Sequence, residues 1–283
     1  MKATYKSYPS NLTTEQWIFI APYLPVAKSG GRPRSTNLQA VINAIFYVLC
    51  SGCSWRMLPG DFPAWQTVYS YFRRWKLDGT WVRIHRYLRD WVRLHLTRRT
   101  SPSVAVIDSQ SVEIGVLSNN SVGYDGGKNI KGRKRHVLVD TMGLILMVVV
   151  TAANISDRAG AKTLFARLKS HKRWLKRLFL IYTDGTYRGE TFVRWIYDTY
   201  DWILEAVLRV DNHKGFRVVP KRWVVERTFG WRSAFAQIVV RRLVRLPPHA
   251  WCRRLSKDYE RLPQTSEAFI YLAMIRIMIR RLA

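Results

Sequence analysis

The sequence predicts a mixed α/β fold, a sheet flanked by helices, preceded by a small all-helical N-terminal domain. Three observations carry this prediction. From residue 12 to about 99, apolar residues recur at helical spacing. Near Thr100 the pattern changes to short runs rich in Val, Ile and Leu, which suit strands. Helical stretches then separate only the later runs, as in a mixed sheet rather than a strict βαβ repeat. The boundary falls at "RRTSPS", giving a helical domain over 1–100 and a sheet domain over 101–283.

Taken in order, Thr14 is placed to cap a helix through "EQWIFIAPYL". Asn37 starts and Gly52 stops a second helix, "NLQAVINAIFYVLCSG". In the third, "AWQTVYSYFRRW", the residues Trp65, Val68, Tyr69, Phe72 and Trp75 form an apolar stripe. Gln66, Ser70, Arg73, Arg74 and Lys76 occupy other faces, a basic surface suited to DNA or simply to solvent. Between the first two helices, Arg32-Pro33-Arg34 forms either a minor-groove arm or a plain loop. The expected strands are "VAVID", "RHVLVD", "LILMVVVTAAN", "LFLIYTD" and "WILEAVLR". The helical patterns "AGAKTLFARLKSH" and "GETFVRWIYDTY" precede the fourth and fifth.

Composition narrows the function. Forty-eight per cent apolar residues and 12 Trp supply a real core, while 47 Lys plus Arg against 19 Asp plus Glu leave +28. Such charge, with a pI near 10.6, calls for a polyanion, nucleic acid first. The longest apolar runs, 40–50 and 143–153, fall short of the roughly 20 residues that span a bilayer. The start, "MKATYKSYPSNLTT", lacks the apolar core of an export signal, so a cytoplasmic, nucleoid-associated protein is expected, with no membrane partner. Cys50 and Cys53 form a C-x-x-C, but Cys252 is alone and no second pair sits at zinc spacing. The cysteines therefore read as packing residues in a reducing compartment.

Two of the 19 acids stand apart. Asp108 ends "VAVID" and Asp184 ends "LFLIYTD"; neighbouring strands would bring both to one sheet edge, where like charges call for a cation between them. Either alone is also an ordinary turn former. A third acid, Glu226, lies on a helix, "PKRWVVERTFGW", one turn after Arg222 on the same face. A surface ion pair between those two is the simpler alternative.

The stretches "AVIDSQSV", "GYDGGKNIKGRKRHVLVDTMGLIL", "YTDGTYRG", "PKRWVVERTFGW" and "RRLSKDYERLPQTSEAFIYLAMIRIMIRRLA" resemble the bacterial insertion-sequence transposases of the IS5 family (IS4/IS5 type). The helical leader, "LTTEQWIFIAPYLP" and "GRPRSTNLQAVINAIFYVLCSGCSWRMLPGDFPAWQTVYSYFRRW", is similar to that family too, so the resemblance covers almost the whole chain. It implies a DDE transposase with a ribonuclease-H-like core, whose triad of Asp108, Asp184 and Glu226 binds two divalent cations, Mg²⁺ or alternatively Mn²⁺. Two metals held by carboxylates activate a water or 3′-OH and stabilise the leaving oxyanion, so no histidine has to act as base. The implied reaction cleaves double-stranded DNA at the element's terminal inverted repeats and joins the 3′-OH strand to target DNA. Two ends must be brought together, so a homodimer or larger assembly is expected.

Lys128, Lys131, Arg133, Lys134 and Arg135 crowd the connection between the first two strands, beside a flexible "GYDGG". They are expected to position phosphates near the scissile bond, joined by Arg222 and, from the helical leader, Arg73 and Arg74. A helix-turn-helix-like leader would recognise the ends. His136 reads as a half-buried strand residue.

The chain departs from the family in places. Its signature around the third acid is Y-x2-R-x3-E-x6-K; Arg222 and Glu226 match, but Val219 and Ser233 replace the Tyr and Lys. Residues 232–251 form an insertion in which Pro247-Pro248 must break any helix. Two rival readings stay open: a transposase-derived DNA-binding protein without catalysis, and a ribonuclease-H-like nuclease or resolvase that never joins strands.

Overall fold

The computed structural model describes residues 7–27, 30, 34–115, 121–169, 174–207 and 252–283. They fall into two compact units: Met1–Thr97 with Val240–Ser256 and Ala268–Ala283, and Arg98–Val239 with Lys257–Glu267.

The first unit contains α1 (Thr14–Ile20), α2 (Leu38–Ser51), α3 (Trp65–Leu77), α4 (Thr80–His95) and most of the last helix, α7 (Pro263–Leu282). Thr13, not Thr14, caps α1 through a reciprocal box: its hydroxyl accepts the Gln16 N–H while the Gln16 side chain accepts the Thr13 N–H, both at 3.2 Å. The helix stops at Ile20 rather than running to Leu24, because Pro22 supplies no N–H and the chain tightens into a 3-10 turn, Ala21–Tyr23. Asn37 caps α2 by accepting the Ala40 N–H, and Gly52 ends it in the left-handed region at φ 77°, where a Cβ would be strained. On α3, Val68, Phe72 and Trp75 are buried whereas Tyr69 is exposed; Arg73 and Arg74 lie on the exposed face.

Aromatic packing explains why the C-terminus returns to this unit. Phe269 stacks on Phe72 at 5.0 Å, Tyr271 meets His85 edge-on at 4.9 Å, and Trp75 meets Trp81 at 5.1 Å. Such pairs contribute roughly 0.5–1.5 kcal/mol each beyond the area they bury. Residues 268–283 thus group with the helices, in contrast to the expected assignment of all of 101–283 to the sheet domain.

The second unit is built on six strands: β1 (Val104–Glu113), β2 (Gly123–Asp125), β3 (Ile130–Asp140), β4 (Ile145–Ala152), β5 (Leu180–Thr183) and β6 (Ile203–Ala206). Antiparallel pairs join β4 to β3 and β3 to β1, and parallel pairs join β1 to β5 and β5 to β6; β2 pairs only the first residues of β3. This is a ribonuclease-H-like mixed sheet: an antiparallel meander, then parallel strands reached through α5 (Asp157–Lys169) and α6 (Glu190–Tyr200). Ala105, Ile107, Leu138, Val149 and Ile181 of one sheet face pack with Leu164 and Phe165 of α5 and Ile196 of α6.

The hairpin between β1 and β3 differs from expectation. "GYD" is itself the strand β2, because Gly123, Tyr124 and Asp125 pair with Gly132, Lys131 and Ile130. Lys131 to Arg135 therefore lie inside β3 rather than in a loop. His136, also on β3, is wholly buried, with Nε2 3.0 Å from the Thr151 hydroxyl; burial pushes its pKa down to about 4 and keeps it neutral. Gly160 of α5 permits this packing, since a Cβ there would meet the imidazole at 2.0 Å. Among the described residues, no helix is long and apolar enough to cross a membrane.

Candidate active site

Strand β1 is the centre of the sheet and places the first acid. Its parallel register with β5 pairs Val104 with Leu180, Ala105 with Ile181 and Val106 with Tyr182. The same register carried forward brings Asp108 level with Asp184. Asp184 directly follows the last residue of β5 and caps the turn Gly185–Tyr187, its Oδ1 accepting the Thr186 N–H at 3.0 Å and the Thr186 hydroxyl. It is thus both the turn former and a carboxylate held in a fixed pose.

Asp108 accepts the Ser109 N–H at 2.7 Å. Its pKa is pushed up to about 7, chiefly by burial; the Ser109 N–H and Lys128 act in the opposite direction, and the charges of Asp184 and Asp157 add to the rise. A like charge beside Asp108 that raises its proton affinity makes a receptive place for a cation. The hard carboxylate oxygens of Asp108 and Asp184 suit a hard divalent cation.

Asp157, at the first position of α5, is a neighbour that sequence reasoning missed. It accepts the Ser109 hydroxyl at 2.7 Å and lies 3.1 Å from Lys134 Nζ. Burial raises its pKa, but the Ser109 hydroxyl together with Lys134 and Lys128 outweighs that, so it stays ionised. Lys134 also pairs with Asp125 at 3.4 Å, and Asp125 accepts the Ser111 hydroxyl. One buried lysine therefore ties β1, β2, β3 and α5 together beside Asp108. Tyr187, buried, feels Asp157, Asp108 and Asp184 at once, and burial first and those charges second hold its phenol protonated. An acid opening a helix is usual near the positive end of the helix dipole, so "SDR" gave no signal of its own.

The basic residues separate into two groups. Lys128 and Lys131 are exposed, and Lys128 in the β2–β3 turn is close enough to lower the pKa of both Asp108 and Asp157. Arg133 and Arg135 are buried and committed internally, which corrects the expectation of a solvent-facing phosphate clamp. Arg133 Nη1 donates to Asp258 Oδ1 at 3.1 Å and to the Glu260 carbonyl at 2.7 Å, and its Nη2 donates to the Arg261 carbonyl at 2.7 Å. Arg135 donates to the Lys257 carbonyl at 3.2 Å. The period of two along the strand sends Lys134 and His136 toward α5 and the two arginines to the other side, where residues 257–261 cover them and leave Lys131 exposed. Arg73 and Arg74 are exposed on α3, with the Arg74 guanidinium 5.7 Å from the Tyr71 ring. Glu226 and Arg222, with Val219, Ser233 and the segment 232–251, lie outside the described residues, as do Arg32 and Pro33. Among the described residues, no group of three or more His, Cys, Asp or Glu is placed to hold a metal.

Comparison with known proteins gives the family. Residues 99–242, half of the 283, match the family described as "Transposase DDE domain", a span that includes Asp108, Asp184 and Glu226. Residues 12–85 match the family described as "Putative transposase of IS4/5 family". The chain belongs to the IS4/5-family DDE transposases. It is similar to a protein of Burkholderia cepacia named "Putative transposase for insertion sequence element IS402", with 29% identity over 116 residues. That likeness covers 39% of this chain and 53% of the relative, so the chain spans about half the length of the curated relative it matches. Within that matched span, Asp108 on β1 and Asp184 just after β5 stand level on neighbouring parallel strands.

Proposed function

We propose that this transposase binds the terminal inverted repeats of an insertion sequence, cleaves phosphodiester bonds there and transfers the 3′-OH strand to target DNA. The level placement of Asp108 and Asp184 on neighbouring parallel strands carries this reading. With Glu226 they form the acidic triad that holds two divalent cations, Mg²⁺ or Mn²⁺. Bound there, such ions supply activation of the attacking oxygen and stabilisation of the leaving one. The chain's own residues do the rest. Thr186 and Ser109 orient the two aspartates, Lys128 and Lys131 hold backbone phosphates beside them, and Tyr187 closes the interior side. Arg73 and Arg74 give the helical unit a basic face for the DNA ends, in a helix-turn-helix-like role, and Arg222 adds a contact near the third acid. Joining two ends calls for a homodimer or larger assembly.

The test is cleavage and joining of labelled element ends with Mg²⁺. Asp108→Ala, Asp184→Ala and Glu226→Ala are each expected to abolish cleavage while retaining DNA binding; full cleavage by any one removes that residue from the triad. A second reading, a DNA-binding protein without catalysis, is favoured by Val219 and Ser233 at the signature Tyr and Lys positions and by the segment 232–251. Wild-type protein that binds the ends but never cuts them would support that reading over the first.

A further inference from the structure

We propose that Cys50 and Cys252 form a reversible disulfide modification site, closed by a hydroperoxide oxidant. The sequence shows a C-x-x-C and invites pairing of Cys50 with Cys53, but the fold pairs Cys50 elsewhere. Cys50 is in the last turn of α2, and Cys252 caps the 3-10 turn Arg253–Leu255; both belong to the helical unit. In the electrostatics of the pair, each thiol is the other's foremost side-chain partner, which sets the two within reach of one another.

The backbones around them are held together independently of the sulfurs. Arg254 donates to the Cys53 carbonyl at 2.9 Å and to the Gly52 carbonyl at 3.4 Å. Gly52, left-handed at φ 77°, lets the segment approach so closely that a Cβ there would lie 3.2 Å from the Arg253 Cβ. Close approach of two backbones is what a disulfide needs, since its Cα atoms are usually about 4.4–6.8 Å apart. Cys53 lies beyond this left-handed turn, its N–H donating to the Ser51 hydroxyl at 3.2 Å.

The division of roles follows from exposure and charge. Cys50 is half-buried and Cys252 buried, so Cys50 meets the oxidant first. Its pKa is lowered to about 7, mainly because Cys252 donates a hydrogen bond, with Arg276 and Arg280 of α7 adding to the fall against the effect of burial. A thiolate, not a thiol, attacks peroxide. The Cys50 sulfur displaces hydroxide from the peroxide O–O bond and becomes a sulfenic acid. Cys252, losing its proton, then attacks that sulfur; the S–S bond forms, the S–O bond breaks and hydroxide leaves. Two thiols lose two electrons, and one hydrogen peroxide becomes two waters. The bond closes a loop over 50–252, which contains the whole sheet and Glu226. Constraint of so long a loop in the unfolded chain favours the folded state.

The experiment treats the full chain with hydrogen peroxide, blocks remaining thiols with N-ethylmaleimide and maps peptides by mass spectrometry without reduction. A Cys50–Cys252 linked peptide, with Cys53 alkylated and the link reversed by dithiothreitol, is expected. In Cys53→Ser the link persists, and in Cys252→Ser the Cys50 sulfenic acid accumulates and is trapped by dimedone. A Cys50–Cys53 link, or Cys50 passing to the sulfinic acid without any link in the wild-type chain, overturns the proposal.

Discussion

Replacing Asp108 with Asn should make the metal-free protein more stable above neutrality, because the fold holds this carboxyl where its charge is unwelcome. In the folded protein its pKa is about 7, against an ordinary 3.8. A folded state that keeps its proton longer than the unfolded chain is penalised as pH rises from about 4 to about 7, and carries the full penalty above that. The difference corresponds to roughly 4 kcal/mol at about 1.4 kcal/mol per pH unit. Asn still buries a polar amide, so about 1–3 kcal/mol of net stabilisation is expected at pH 8. At pH 4, where Asp108 is protonated in the fold, the two proteins should be nearly equal. Urea melts with EDTA at pH 4, 6 and 8 measure this, and comparing variant with wild type at each pH cancels the titrating groups that do not interact with Asp108. A variant less stable than wild type at pH 8, or a difference that does not change with pH, refutes the placement of Asp108 as a desolvated acid beside Asp184 and Asp157. With Mg²⁺ in place of EDTA, wild type should recover stability that Asp108→Asn does not.

Other perturbations separate structural from functional charges. Arg133→Ala strands Asp258 in the interior and should cost about 3–5 kcal/mol in a denaturation midpoint analysis, whereas Lys128→Ala should change stability by about 0.5 kcal/mol or less. Lys128→Ala and Lys131→Ala should instead weaken DNA binding about equally for all sequences, each lowering the salt slope by about 1 in a fluorescence anisotropy titration; an unchanged slope removes them from the interface. Gly160→Ala drives a methyl into His136 and should cost about 1–3 kcal/mol in thermal melts, part of it recovered by adding His136→Ala. His136 itself, neutral in the fold, contributes stability that is lost as pH falls from about 6.5 through about 4, and its ring proton shift in NMR should titrate near pH 4.

Much of this was legible in the chain because local chemistry and tertiary structure agree. Asn37 and Gly52 mark the ends of α2 by capping rules alone, and the apolar runs "VAVID" and "LFLIYTD" are strands that carry Asp108 and Asp184, although β1 runs on past Asp108 to Glu113 whereas β5 stops just before Asp184. The misplaced features share a cause. Arg133 and Arg135 look like surface charge in any reading of composition; what buries them is the segment 257–261, more than a hundred residues away, whose carbonyls and Asp258 accept their N–H hydrogen bonds. Asp157 was passed over for the converse reason, since its local role at a helix start is sufficient and its partners Ser109 and Lys134 come from other strands. Pro22 is legible too: its missing N–H ends the helix although the apolar run continues to Leu24.

These placements bear on how the site is built. Strand β3 is gripped on both faces: Lys134 is held by Asp125 and Asp157 on the side of α5, and Arg133 by Asp258 on the other. Because β3 pairs with β1 through Asp108 and Val137, that double grip fixes the backbone on which the first acid stands. Ser109, bound to Asp157, fixes it again from the next residue. Asp108 therefore stands on a strand braced through β3 and Ser109, and Asp184 on a turn that its own carboxylate caps. Groups held by rigid elements need little reorganisation when charge develops beside them. The buried basic residues of β3 serve that end: Lys134, paired with Asp125 and Asp157, and Arg133, paired with Asp258, hold the strand beside Asp108 in place before any cation arrives.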